Sequence, residues 1–593
     1  MSSARATWSR QRPTRSAARG TRAAIAAARR QSVTAGLAML ERGGNAADAA
    51  IAAAFVAGVV EPMETTLAGS GFLLAFDPRS GRPLAVEFGP RAPRAARPDM
   101  FEIDTSRSID RGLGVSLVVG DANVQGVRAA GIPAAIPGLC TAHARLGRLP
   151  LGEVMEPAIA AAHDGFPADG YFALEVLANL AGLRADPAAA RIFLVDGEAP
   201  VAPHLGTATL GAPHRIRQPR LGRTLEIVAA RGAESSTTGD VAEDLLATHR
   251  ELGGLLAPED VATLRPAIVA PLARDIGDGC LACVPAAPTG GVTILQILLT
   301  LRAIRAMRGM GGGIADLVHA SWHAFADRYH WLGDPDQVPV PLQGLLSASY
   351  ATELAAAILG GAPPPLPAPG EGPPWEAFAR RAVHHPWAHD ASGCGAPLWR
   401  PAGATESPGG TTHVSAVDGE GMAVAITHTA ANHFGAKVVC PRTGLLLDAA
   451  MGWFNARPGA ANSIAAGRRP LANMGPALLV RDGRAVAALG APGGRRIICA
   501  VAGILDLLSA GMGAEEALAT PRADASGDTA LLDEALEAEA AALRAAGLPV
   551  RLVGREHEPY GYELARPILA ARRVDGTVEA AADPFSTGFA AAM

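Results

Sequence analysis

Apolar residues and alanines recur at helical spacing across residues 32–60. They break at Gly43-Gly44-Asn45 and resume as a nearly all-apolar run, which predicts two helices, the second of them buried. Residues 69–76 and 83–88 read as two short strands joined by the turn Asp77-Pro78-Arg79-Ser80-Gly81. From about 131 to 360 the pattern is mostly helical with Pro and Gly punctuation, and no fixed-period repeat appears. Between 360 and 410 it dissolves into Pro, Gly and His, the composition of a linker or exposed loop. Immediately afterwards, residues 412–417 and 422–429 alternate with β-branched residues around Asp418-Gly419-Glu420-Gly421, which predicts a hairpin. Further strands at 477–480 and 485–489 precede a helix at 497–509, so the chain after 411 reads as a β-rich unit with helices on its flank.

Composition narrows the class. With 49% hydrophobic and 18% charged residues in a 593-residue chain, a wholly disordered protein and a long coiled coil are excluded. The 52 basic and 57 acidic residues give a net charge of -5, which leaves no electrostatic footprint for nucleic acid or an anionic membrane. Six scattered cysteines (Cys140, Cys280, Cys283, Cys394, Cys440 and Cys499) are too few for a disulfide-stapled scaffold. Cys280 and Cys283 stand in a strand-like run without a second pair, so they read as structural. No compact three-ligand cluster occurs, and neither a metal nor a cofactor is expected. The first thirty residues hold eight arginines and no acid but lack the continuous apolar stretch of a secretory signal. The apolar run at 46–60 contains Asp48 and is shorter than the roughly 20 residues that span a bilayer. A soluble, cytoplasmic protein without a membrane partner is expected.

Candidate chemistry sits at Gly410-Thr411-Thr412-His413, where the linker meets a buried strand. If the bond before Thr411 is cut, that residue carries a hydroxyl nucleophile and a free α-amino group. Such a group has a reference pKa of about 7.7–8.0, suited to a general base. One residue then supplies nucleophile and base for acyl transfer. On these residues alone, a strand-starting threonine is the ordinary reading.

The surroundings change that weighting. Gly43-Gly44-Asn45-Ala46-Ala47-Asp48, Gly69-Ser70-Gly71-Phe72, Pro288-Thr289-Gly290-Gly291, Ala324-Phe325-Ala326-Asp327-Arg328, Thr411-Thr412-His413-Val414-Ser415, Arg469-Pro470-Leu471 and Pro492-Gly493-Gly494 occur in order. Together they make the chain resemble the γ-glutamyltransferase family of N-terminal nucleophile hydrolases along nearly its whole length. The resemblance implies an α+β fold, a four-layer αββα sandwich, built from one precursor that cuts itself between Gly410 and Thr411. A large subunit, 1–410, and a small catalytic subunit, 411–593, would result. It also implies that Thr429 steadies the nucleophile and that Gly493 and Gly494 bind the oxyanion through their backbone N–H groups.

The chain departs from the family where an amino-acid substrate is gripped. Gly89 stands where typical members carry the arginine for the substrate α-carboxylate. Arg91, two positions on, reaches a similar region if the strand continues, because i and i+2 share a face. Ala450 and Trp453 replace the amide and acid that accept from the α-ammonium, and neither side chain is an acceptor. Ala472 and Asn473 replace paired serines, and Ala431 replaces an asparagine. New polar residues lie close by, among them His428, His433, Arg495, Arg496 and Lys437, the single lysine of the chain.

The reading is a self-processing γ-glutamyltransferase-like amidohydrolase or acyltransferase that cleaves a γ-glutamyl or related acyl-amide bond of a small molecule through an acyl-Thr411 intermediate. Thr411, Thr429, Gly493 and Gly494 are catalytic, and Arg91, Asn473, Trp453 and Lys437 bind substrate. The alternative is a catalytically silent homologue that serves as a binding or structural protein.

Overall fold

The computed structural model describes residues 16–106, 117–200, 213–309, 313–338, 340–361, 409–527, 529–554 and 563–593. The first fifteen residues and most of the linker expected at 360–410 lie outside the described residues.

Two seven-stranded sheets stack face to face, and every pairing within them is antiparallel. The first runs β14 (Phe589–Ala592), β2 (Ala23–Ala27), β8 (Thr411–Asp418), β9 (Ala423–Thr429), β3 (Ser70–Asp77), β4 (Arg82–Phe88) and β5 (Ala267–Val269). The second runs β1 (Ala17–Gly20), β13 (Val578–Ala582), β12 (Ile568–Arg572), β11 (Arg484–Gly490), β10 (Ala477–Arg481), β7 (Cys280–Val284) and β6 (Leu272–Gly277).

Helices close both outer faces. Against the first sheet lie α1 (Arg30–Glu41), α2 (Ala46–Val60), α3 (Ala135–Leu146) and α4 (Leu151–Asp164), whose apolar residues share one core with Ile25, Leu73, Val414 and Val424. Against the second lie α5 (Gly291–Arg308), α6 (Ile314–Trp331), α7 (Ala348–Leu359) and α8 (Ile497–Ser509), packed on Leu479 and Leu489. The inner faces meet through Ala24, Ala26, Leu74, Phe76, Ala425, Leu478, Ala488 and Ala570. The result is the αββα sandwich.

Period-two alternation builds these layers. On β2, Ala24 and Ala26 face the second sheet while Ala23, Ile25 and Ala27 face the helices. The all-apolar α2 is buried along its whole length. Its start is set by a capping box: Asn45 Oδ1 accepts from the Ala47 and Asp48 amides, and Asp48 Oδ2 accepts from the Asn45 amide at 3.0 Å.

The β-rich character extends well beyond the part after Thr411. Before residue 410, the chain supplies β2 to β5 to the first sheet and β1, β6 and β7 to the second. A hairpin of β8 and β9 alone would leave two open edges, and β2 and β3 fill them. The predicted Cys280-x-x-Cys283 strand is β7, and five of the cysteines are free thiols buried in the structure.

Candidate active site

β8 and β9 pair so that Thr411 lies opposite Thr429, and β9 and β3 pair so that Thr429 lies opposite Ser70. Three hydroxyl residues therefore occupy one rung, with side chains on the same face of the sheet. All three are buried. Thr411 Oγ1 and Thr429 Oγ1 are 3.1 Å apart. Thr429 Oγ1 donates to the Gly410 carbonyl and accepts from the Ala431 amide at 2.8 Å. A hydroxyl has one proton. With that of Thr429 on Gly410, Thr411 must be the donor in the pair, and its own oxygen keeps its lone pairs beside the Gly410 carbonyl. Glycine is required at 410, since a Cβ there would stand 2.6 Å from the Met63 carbonyl oxygen and 2.7 Å from that of Asn432.

The Thr411 nitrogen has its own partner. It donates to Glu64 Oε2 at 3.0 Å, while Glu64 Oε1 accepts from Arg566 Nη2 at 2.8 Å and from the Tyr171 hydroxyl. Burial opposes ionisation of Glu64, but the Arg566 and His433 charges and the Tyr171 and Arg566 hydrogen bonds outweigh it and hold the carboxyl below its ordinary range. Nearby, Glu61 accepts from the Thr412 hydroxyl at 2.7 Å, and burial pushes it up to about 7 despite the Arg29 charge. Ala28, Arg29, Glu61, Glu64, Tyr171, Thr411, Pro492 and Arg566 are among the residues that line one narrow cleft.

Gly493 and Gly494 follow Pro492 in the chain without themselves lining that cleft, and the Pro492 carbonyl accepts from the Arg566 amide at 3.0 Å. Gly493 has a φ of 138° and Gly494 one of 61°, and a Cβ on Gly493 would lie 2.7 Å from Ala565 Cα. Their turn leads directly into the N-terminus of α8.

The histidines are strand-face residues. His428 Nδ1 meets Thr65 Oγ1 at 2.9 Å, and His413 bridges Thr427 and Ser415 at 2.7 and 2.9 Å. Burial pulls both down to about 3, with each other's proximity adding to the effect on His413, so both are neutral imidazoles. His433 instead lies 3.2 Å from the Glu175 carboxylate. Among the described residues no His, Cys, Asp and Glu cluster can hold a metal ion.

A profile of the gamma-glutamyltranspeptidase family matches residues 32–593. The chain belongs to the gamma-glutamyltranspeptidase family. It is 30% identical over 516 residues to the glutathione hydrolase proenzyme of Escherichia coli, covering 82% of this chain and 78% of that one. It is also 32% identical over 520 residues to the acylase ACY 1 proenzyme of Pseudomonas sp. strain V22, covering 86% and 84%. The crystal structure of cephalosporin acylase from Bacillus halodurans superposes with a TM-score of 0.79 over 98% of both chains at 21% identity, a likeness of fold.

Within this gamma-glutamyltranspeptidase fold, the remaining expected residues fall into separate places. β4 ends at Phe88, before Pro90, so Arg91 is not carried on the strand; its Nη1 donates to the Gly467 carbonyl at 2.9 Å. A side chain at Gly89 would run into the Phe72 ring. Trp453 packs with Phe72, Ala472 and Met474. Phe72 shares a face of β3 with Ser70, so this apolar group stands on the same side of the sheet as Thr411, two strands away, roughly 10 Å. Asn473 Oδ1 accepts from Arg328 Nη2 at 2.9 Å, and Arg328 also donates to the Ala472 and Thr289 carbonyls. Lys437 has a left-handed φ of 59°, and its stem lies against Gly182, outside the residues lining the Thr411 cleft.

Sequence reasoning missed Ser70, Glu64, Tyr171 and Arg566. Two carboxylates within four residues, Glu61 and Glu64, directly after an all-apolar helix were the available signal, because acids beside a buried helix are rarely left without a task. Arg566 carries no local signal.

Proposed function

We propose that this chain is a self-processing amidohydrolase whose nucleophile is Thr411. The observation that carries the reading is the placement of the Thr429 proton on the Gly410 carbonyl with Thr411 Oγ1 next to it. Attack by Thr411 Oγ on the Gly410 carbonyl carbon forms a C–O bond and puts negative charge on the carbonyl oxygen, where Thr429 already donates. The C–N bond then breaks, the hydroxyl proton ends on the Thr411 nitrogen, and water hydrolyses the ester. In turnover the freed amine takes the Oγ proton, Thr411 attacks the substrate amide, and backbone N–H groups of Gly493 and Gly494 serve the oxyanion. Water or an amine acceptor resolves the acyl-threonine. A silent homologue would have no need of this donor arrangement.

The acyl group we propose lacks an α-amino group. The wall formed by Phe72, Trp453, Ala472 and Met474 is apolar, and an ammonium entering it loses its hydration without gaining an acceptor. Asn473 adds a positive requirement. Arginine is only a donor, so Arg328 fixes the Asn473 amide with its oxygen inward and leaves its two N–H donors for a ligand. A distal carboxylate or carbonyl on the acyl group suits that end. The acylase name of one relative supports this reading, whereas the glutathione hydrolase name of another does not, since the γ-glutamyl group of glutathione carries an α-amino group. Purified full-length chain, assayed for fragments on a denaturing gel and then against glutaryl, γ-glutamyl and oxalyl anilides, tests both parts. A persistent single chain with no turnover would return the silent homologue.

A further inference from the structure

The carboxylate at the Thr411 nitrogen lies outside the nucleophile, its threonine partner and the oxyanion loop, and its position has a chemical consequence. In the tetrahedral adduct of self-cleavage, the carbonyl oxygen carries negative charge, and the nitrogen, having received the hydroxyl proton, carries positive charge. Thr429 faces the oxygen, and Glu64 faces the nitrogen. In turnover the same nitrogen becomes positive again when it accepts the Oγ proton, and returns to neutral when it passes that proton to the leaving amine. We propose that Glu64 is a positioning residue that aligns the Thr411 nitrogen and balances the positive charge developing there in both reactions. This inference rests on the reading of Thr411 as the nucleophile.

Three features suit Glu64 to that task. It is anchored from two sides, with one oxygen occupied by Arg566 and Tyr171 and the other left to the Thr411 nitrogen. Its own backbone carbonyl accepts from the Ala430 amide at 3.2 Å, which ties the same residue to the neighbour of Thr429. The Arg566 and Arg29 guanidiniums lie over the Tyr171 ring at 5.4 and 5.3 Å, clamping the phenol that fixes the carboxylate. The other ionisable groups around Glu64 are Glu61, Glu175 and His433. Glu61 and Glu175 are both pushed up by burial, which leaves Glu64, held low, as the ionised carboxylate at the nitrogen. His428 is a neutral imidazole.

The test compares full-length wild type with Glu64→Gln. Self-cleavage is followed on a gel, with amino-terminal sequencing of the small fragment, and the Thr411 α-amino group of processed, 15N-threonine-labelled protein is titrated by NMR. Glu64→Gln is expected to cleave at least tenfold more slowly at pH 7 and to lower the α-amino pKa by about one unit, since the opposite charge that favours the ammonium is gone. A folded Glu64→Gln that cleaves at the wild-type rate overturns the proposal. So does slower cleavage with an unmoved α-amino pKa, which would make Glu64 merely structural. If the variant does not fold, the wild-type titration decides alone: a value above the ordinary 7.7–8.0 supports the role, and one at or below it overturns the role. Wild type that never yields a fragment beginning at Thr411 sinks the nucleophile reading itself, a result distinct from any of these.

Discussion

Thr429 directs its hydroxyl proton at the Gly410 carbonyl while accepting from Thr411, so the Gly410–Thr411 peptide and the Thr411 hydroxyl are held by one side chain. Removing that hydroxyl in Thr429→Ala leaves the Gly410 carbonyl and the Ala431 amide without their partner. Loss of one donor to a developing oxyanion typically costs about 10²- to 10³-fold in rate. We expect self-cleavage to slow by about 10²-fold in Thr429→Ala and to recover largely in Thr429→Ser, as read from a time course of precursor disappearance. A Thr429→Ala precursor that matures at the wild-type rate would remove Thr429 from the mechanism.

Thr411→Ala is expected to remain a single 593-residue chain and to be inactive, because the proposed mechanism assigns both attacks to one hydroxyl. Wild type is expected to separate into pieces of 410 and 183 residues, the smaller beginning at Thr411, and Thr411→Ser to retain part of both activities. Mass spectrometry of the pieces locates the cut, and cleavage of Thr411→Ala at the same bond in clean buffer would exclude the intramolecular route.

The apolar wall around Trp453 is expected to set an order of substrates. The kcat/KM for glutaryl-p-nitroanilide should exceed that for γ-glutamyl-p-nitroanilide, and the double variant Ala450→Gln with Trp453→Asp should move the ratio toward γ-glutamyl. The ratio measures the difference in transition-state binding. A wild-type preference for γ-glutamyl of tenfold, about 1.4 kcal/mol, would show that other residues rebuild the ammonium site.

Asp448 makes stability depend on pH. Its Oδ1 accepts from the Gly131 amide at 2.8 Å, its Oδ2 is buried without a hydrogen-bond partner, and burial pushes the group up to about 7. A raised carboxyl means that the folded state binds the proton more tightly than the unfolded state. Its contribution is therefore fully present below about pH 4 and is lost as pH rises toward 7. Asp448→Asn keeps an acceptor for Gly131 and never ionises. Its unfolding free energy, from denaturant titration, should match wild type near pH 4 and exceed it increasingly up to about pH 7, by an amount on the order of a few kcal/mol. A difference that stays flat between pH 4 and 8 would contradict the buried, raised acid.

Local pattern was enough to place the β8–β9 hairpin and the buried helix α2. The alternating β-branched residues of β8 and β9 flank a Gly-containing turn, and Asn45 with Asp48 marks the start of a run too apolar to be exposed. Both are encoded within some twenty residues, where side-chain period and turn chemistry dominate. The ordered motifs from Gly43 to Gly494 likewise carried the family and, with it, the αββα fold.

The same local pattern could not reveal β2, because Ala23–Ala27 holds four alanines, which favour helix; pairing with β8 and β14 on either side makes it a central strand. Nor could it assemble the Thr411 nitrogen site, whose Glu64, Tyr171 and Arg566 are 107 and 502 positions apart and meet only where the end of β8 faces the cleft. Spacing made Arg91 a substrate candidate and its being the single lysine made Lys437 one, yet Pro90 stands between Arg91 and the end of β4, and Lys437 lies on Gly182. The contact that holds the Asn473 oxygen was equally invisible, since Arg328 comes from a helix 145 positions away. Residue identity and short-range period thus set the β8–β9 hairpin, the candidate nucleophile and the family. Which polar atoms face one another depended on how two sheets and their helices close, because a hydrogen bond is decided by distances of a few tenths of an ångström that no spacing along the chain encodes.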